Sequence, residues 1–179
     1  MKKILILLLK LIGALFIVGA IAVFAIIIKY RLELPNLQSM VEDYKPQMAT
    51  IIYDKNNNVV DTLSVEAREV VKLEDVSPYV KDAFLAIEDK QFYSHHGLNF
   101  KGIIRAVVTT FLKGRATQGG SSITQQLAKN AFLTPEKTFS RKVKEAILTY
   151  QIERTYTKDE ILERYLNEIY YGSGSYGIK

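Results

Sequence analysis

The sequence of 179 residues contains no cysteine. That excludes a disulfide scaffold, a thiolate zinc site, a cysteine nucleophile and a lipoprotein anchor. Its two histidines are adjacent, His95 and His96, too few for an all-histidine metal site. Internal repeats and low-complexity tracts are absent. No Lys/Arg run is interleaved with aromatics, so nothing indicates a nucleic-acid groove. Neither sign of charge dominates: 24 Lys and Arg against 19 Asp and Glu leave a net +5. That modest basic excess suits an anionic membrane surface or an anionic substrate. With 48% hydrophobic and 24% charged residues the composition is globular, which excludes wholesale disorder. The length allows one domain with a small appendage.

What is present is unevenly spread. Residues 4–28 are apolar apart from Lys10, and the 18 residues from Leu11 to Ile28 carry no charge. As a helix those 18 span about 27 Å, close to the ~30 Å hydrocarbon core of a bilayer. Ala20-Ile21-Ala22 resembles a signal-peptide cleavage site, but six apolar residues follow it, which suits a retained anchor better. Lys2, Lys3 and Lys10 precede the stretch, while Lys29 and Arg31 follow it. The positive-inside rule leans toward a cytoplasmic N-terminus, with the rest of the chain outside.

Residues 29–48 contain two prolines and no clear period, and read as a juxtamembrane stalk. Two β-rich runs then flank the Asn56-Asn57-Asn58 cluster, a hairpin signal. Ser77-Pro78 marks a helix start, with Val80, Ala83, Phe84 and Ile87 on one apolar face. Residues 99–113 read as a second helix, and a third is expected to open at Ser121 or Ser122. Thr134-Pro135 repeats the cap-plus-proline signal ahead of a helix over 140–154. Thr157 to Glu160 is a capping box, opening a helix whose apolar face holds Leu162, Tyr165, Leu166 and Ile169, ended by Gly172. The chain closes on a Gly-rich segment without a terminal helix, which predicts an incomplete domain.

Four segments carry more polar chemistry than a structural helix needs. In Glu88-Asp89-x-x-Phe92-x-x-His95-x-Gly97, two adjacent carboxylates end an apolar helix. One reading is a solvated helix end with a turn at Gly97. The other is a general base, made by half-burying one carboxylate and raising its pKa while its neighbour stays solvated. The run from Gly119 to Asn130 sets glycines before a helix start, where free N–H groups can meet an anion. Hydroxyls and amides follow (Ser121, Thr124, Gln125, Gln126), then Lys129. It lacks the Gly-Lys-Ser/Thr ending of a nucleotide-binding P-loop. In Arg141-Lys142-x-x-Glu145, Arg141 and Glu145 share a helix face, either as a surface ion pair or as a cationic clamp for phosphate beside a carboxylate. Finally, Asn167 and the tyrosines around Gly172 read as core and turn, or as the wall of a saccharide groove.

Taken together and in this order, the four segments resemble the peptidoglycan glycosyltransferase family (glycosyltransferase family 51). This is the domain of class A penicillin-binding proteins and of monofunctional transglycosylases. The matching motifs here are EDxxFxxHxG, GGSSITQQLAKN, RKxxE and YLNxIYYGxGxYG, running from about Leu73 to Lys179. The resemblance implies a mainly α, lysozyme-like domain over 73–179. A tip and transmembrane helix (1–30) and a stalk with a short β-hairpin (31–72) would precede it. It implies polymerisation of lipid II into glycan strands with inversion and loss of the lipid pyrophosphate. Glu88 would be the general base. Glu145 would be the second carboxylate, near the leaving group or its divalent cation (Mg²⁺ or Mn²⁺), with no organic cofactor. Lys129, Arg141 and Lys142 would surround the pyrophosphate. Asp89, Phe92, His95, Ser121, Thr124, Gln125, Gln126, Asn130 and Asn167 would complete the substrate site. Implied partners are lipid II, the growing strand, the outer face of the cytoplasmic membrane and other cell-wall synthesis proteins. The motifs SxxK, SDN and KTG of a penicillin-binding transpeptidase are absent from these residues. A lysozyme-type hydrolase and a non-catalytic cell-wall scaffold are the alternatives. The basic residues argue against the first, which has no pyrophosphate to hold. The presence of Glu88 argues against the second.

Overall fold

The computed structural model describes residues 2–44, 50–63, 67–68, 70–113, 119–172 and 175–178. The chain divides into two compact units, Met1–Pro35 and Asn36–Lys179. The first is one helix, α1 (Lys2–Glu33). Its stretch Ile6–Glu33 is long and apolar enough to cross a membrane, and none of it is buried within the protein. A helix apolar on all sides is stable in lipid rather than in water. α1 runs five residues past Ile28, into the segment read as stalk. It stops only where Pro35 disfavours helical backbone at Leu34.

The second unit is mostly helical. Its described elements open with α2 (Leu37–Asp43), capped by Asn36, whose side-chain oxygen accepts from Gln38 N–H. The expected hairpin follows as antiparallel β1 (Thr50–Tyr53) and β2 (Val59–Leu63). Its turn is organised by Asp54, whose carboxylate accepts from the N–H groups of Asn56 and Asn58. Asn57 takes the left-handed conformation (φ 64°) that asparagine tolerates. Then come β3 (Ala67–Arg68), α3 (Pro78–Glu88), α4 (Phe100–Lys113), α5 (Ile123–Phe132), α6 (Phe139–Thr155), α7 (Lys158–Glu168), β4 (Tyr170–Gly172) and β5 (Ser175–Tyr176).

The core lies where α5, α6 and α7 pack. Leu127 and Ala128 of α5, Leu148 and Ile152 of α6, and Ile161, Leu162, Tyr165 and Leu166 of α7 are all buried. Each large side chain buried this way contributes about 1.5–3 kcal/mol relative to exposure. The capping box read at Thr157 is present at the start of α7, and α5, expected to open at Ser121 or Ser122, opens after Ser122 with a capping box of its own. At the start of α7, the backbone N–H and hydroxyl of Thr157 donate to Glu160 and hold its carboxyl below the ordinary range.

Three expectations need correction. Thr134-Pro135 does not start α6. Thr138 does, because its hydroxyl accepts from Arg141 N–H. Gly172 does not end α7, which closes at Glu168. The β-branched and aromatic run after it pairs with β5 instead. β5 in turn pairs in parallel with β3, a long-range strand contact that no local pattern announced. The expected apolar face of α3 is only half-buried, at Val80 and Phe84: Ala83 is exposed and Ile87 is 81% exposed, while Phe84 turns edge-on to Tyr165 and Tyr171. α4 also keeps an apolar stripe in the open, at Phe100, Ile104, Val108 and Phe111.

Candidate active site

Glu88 is the last residue of α3 and Asp89 its C-cap. The sequence left open which of the two is buried, and the structure gives them opposite environments. Asp89 is buried at 4% exposure, whereas Glu88 stays exposed. The Asp89 carboxylate faces His95 Nε2 at 2.7 Å and accepts from Asn99 Nδ2 and the backbone N–H of Ile123, each at 3.3 Å. Ile123 is the first residue of α5. The positive end of that helix, expected to meet a substrate anion, is therefore occupied by Asp89 and by the Ser122–Gln125 capping box. His95 extends the same cluster, its Nδ1 accepting from Gly97 N–H. Asp89 and His95 thus lock α3 to α5 and leave Glu88 at the edge of the opening.

That opening has two adjoining hollows, with Ser121, Gln126 and Lys129 lining both. The first, about 620 Å³, holds Glu88 with Lys90 and Arg105. Gln126 Nε2 donates to Glu88 Oε2 at 2.7 Å. The second hollow, about 630 Å³, gathers Lys129, Lys137, Arg141 and Lys142 against Glu145 and Glu168, with Asn130, Tyr170 and Tyr176 also on its wall. Glu145 is only 2% exposed. It accepts from Arg141 Nη1 at 2.7 Å, from Lys142 Nζ, and from Gln125 Nε2 at 3.2 Å. Lys142 also donates to Ser121 Oγ at 3.0 Å. One buried carboxylate thus holds two consecutive cations from the preceding turn of α6, and Lys129 makes no ion pair among the described residues. The surplus positive charge, fixed in a concave wall, is suited to a multiply charged phosphate.

The same contacts bear on a divalent cation. Both oxygens of Glu145 already face cationic donors, which compete with a metal ion for the same lone pairs. Among the described residues no three His, Asp or Glu gather as a cage. The residues present do not fit a cation held by protein groups alone.

Three expected substrate contacts turn inward. Phe92 is buried at the core edge, beneath the Lys158 ammonium 4.5 Å from its ring centre. Thr124 is fully buried and its hydroxyl donates to Glu153, which also pairs with Lys158. Asn167 accepts from Val71 N–H and donates to Val71 C=O, pinning the segment before α3 to α7. Conversely, Arg105 and Lys137 line the hollows without belonging to any motif. As isolated basic residues they carried no signal in the sequence.

The transglycosylase family model matches residues 56–179. Penicillin-binding protein 1A of Aquifex aeolicus is 43% identical over 179 residues, all of this chain and 24% of that protein. Penicillin-binding protein 1F of Bacillus subtilis is 51% identical over 128 residues, 72% of this chain and 18% of that protein. Penicillin-binding protein 1A of Rickettsia bellii is 40% identical over 173 residues, 95% of this chain and 22% of that protein. The chain thus spans about a quarter or less of the length of these relatives. With the cleft, its exposed Glu88 and the family match over most of its length, the chain belongs to the transglycosylase family.

Proposed function

We propose that this domain is a membrane-anchored peptidoglycan glycosyltransferase that polymerises lipid II for the cell wall. The observation that carries the proposal is the division of one cleft into a carboxylate hollow and a cationic hollow, joined at Ser121, Gln126 and Lys129. The acceptor sugar lies in the first, where Glu88 takes the proton from its 4-hydroxyl. The hydroxyl oxygen attacks the anomeric carbon of the donor from the face opposite the pyrophosphate. The new C–O bond forms as the bond to pyrophosphate breaks, inverting that carbon. Undecaprenyl pyrophosphate departs with the bonding electrons into the second hollow. There Lys129, Arg141 and Lys142 stabilise the charge that develops in the transition state, a gain that comes from their being fixed before reaction. Glu145 keeps Arg141 and Lys142 in place and does not itself touch the reacting atoms. Tyr170 and Tyr176, with ring centres 4.9 Å apart, offer flat faces to a sugar.

The apolar α1 supports anchoring in the cytoplasmic membrane, with the N-terminus inside by the lysine and arginine pattern. The apolar stripe of α4, flanked by exposed Lys101 and Arg105, is suited to lie against anionic lipid. Confinement of enzyme and lipid-linked substrate to one surface raises their encounter rate.

Labelled lipid II in detergent, followed by glycan length on a gel, tests the reading. Glu88→Gln is expected to slow polymerisation about 10²–10⁴-fold, the usual contribution of a general base, with unchanged circular dichroism. Full activity in a folded Glu88→Gln protein sinks the mechanism.

A further inference from the structure

Glu88 sits at the end of a chain of side chains that the reaction scheme above does not use. Gln126 Nε2 donates to the Glu88 carboxylate at 2.7 Å, and Gln126 Oε1 accepts from the Tyr165 hydroxyl at 3.4 Å. Tyr165 is 2% exposed and lines neither hollow, so it touches no substrate. We propose that Tyr165 is a positioning residue for Glu88, acting through Gln126; this rests on Glu88 being the base. A carboxylate only accepts hydrogen bonds, so it selects the NH₂ end of the amide. The carbonyl end then needs a donor, and among the described residues the hydroxyl bonded to it is that of Tyr165. With both ends held, the amide plane is fixed and the donor to Glu88 stays in place when the acceptor sugar displaces water.

A phenol is protonated at neutral pH, and burial with the nearby Glu88 carboxylate pushes that of Tyr165 further up, so its hydroxyl stays a donor. The aromatic body is held separately, edge-on to Phe84 with ring centres 6.4 Å apart. Removing the hydroxyl alone thus leaves the packing. The other charged groups on the Glu88 hollow are Asp89 and Lys90 from the following segment, Arg105 from α4 and Lys129 from α5. Tyr165→Phe alters none of them.

The test is a carboxyl titration, which needs no turnover. The full chain in detergent micelles, with ¹³C in its glutamate carboxyls, is followed by NMR, and the Glu88 signal is identified by its loss in Glu88→Gln. Losing a donor to the charged form raises a carboxyl pKa. Tyr165→Phe is expected to raise the Glu88 midpoint by about half a unit, a threefold change in its ionisation constant. Gln126→Leu raises it at least as much, and adding Tyr165→Phe to Gln126→Leu produces no further shift. An unchanged midpoint in Tyr165→Phe overturns the proposal. So does an undiminished shift on the Gln126→Leu background, which means that the hydroxyl acts on Glu88 directly. A further readout needs no substitution at Tyr165. The Gln126 side-chain amide protons should exchange with solvent more slowly than those of exposed Asn130, and equal exchange also overturns the relay. Polymerisation by Glu88→Gln judges the general-base reading separately.

Discussion

A methyl group at residue 97 has nowhere to go. Gly97 has φ +89°, and a Cβ built there lies 2.7 Å from Thr149 Cγ2 and 2.9 Å from Glu153 Cγ. Thr149 is fully buried, and Glu153 is held by Thr124 and Lys158, so neither can retreat cheaply. The Gly97 carbonyl also accepts from Ser122 Oγ, which ties the loop to the start of α5. Gly97→Ala therefore combines a left-handed backbone penalty with overpacking, together about 2–4 kcal/mol. Chemical denaturation should show that loss with an unchanged slope. A loss below about 0.5 kcal/mol means that the loop relaxes freely. The sequence showed the glycine as a turn but not the clash, because Thr149 and Glu153 lie some fifty residues away on another helix.

Among the elements, α5 connects the most parts of the site. Ser122 caps it, Gln125 reaches both the cap and Glu145, Gln126 reaches Glu88, and Lys129 stands between the hollows. Its N-terminal N–H at Ile123 is tied to Asp89, across thirty-four residues of chain. Asp89→Ala strands that donor, and leaves His95 and Asn99 without their shared acceptor. The expected cost is about 2–4 kcal/mol, since several bonds to a buried charge are lost together. Hydrogen exchange should report it locally, with the Ile123 amide losing protection more than those of α7. Equal loss in both places would make Asp89 a general stabiliser and not a pin. A serine cap at 121 or 122 was legible in the sequence because capping is local, and the structure puts it at Ser122. What fills the helix end was not, since only the folded chain brings Asp89 there.

For the molecule as a whole, one buried phenol, Tyr165, and two only partly shielded from water, Tyr93 and Tyr171 at 55% and 39% exposure, set an alkaline limit. Burial, with a hydrogen bond to Asp159, pushes Tyr93 up to about 12. Burial alone pushes Tyr171 to about 12, and Tyr165 is raised further in the same direction. In the unfolded chain these groups titrate near 10. Between the two values the unfolded state has lost protons that the folded state retains, so rising pH favours unfolding. This stability is complete below about pH 10 and is lost as pH rises toward 12. Helix content and phenolate absorbance, followed together, check it, and the absence of tryptophan keeps the ultraviolet signal to tyrosine. Part of the phenolate signal should appear only as helix is lost. A single phenolate step near 10 with helices intact contradicts the expected protection.

The sequence by itself determined what depends on neighbours in the chain. Residues 4–28 make an apolar helix whatever surrounds them, Ser122 and Thr157 cap the turns that follow them, and the Asn cluster closes a hairpin. The ordered motifs likewise marked Glu88, Glu145 and the basic residues before any contact was known. Tertiary structure decided how those groups divide the work. Asp89 became the buried pin and Glu88 the exposed carboxylate, although the two are adjacent and chemically alike. Thr124, Phe92 and Asn167 went inward, and Arg105 and Lys137 came to the cleft wall. The reason is physical: burial and charge pairing are set by groups tens of residues apart, and no spacing within one segment encodes which of two equivalent side chains meets them.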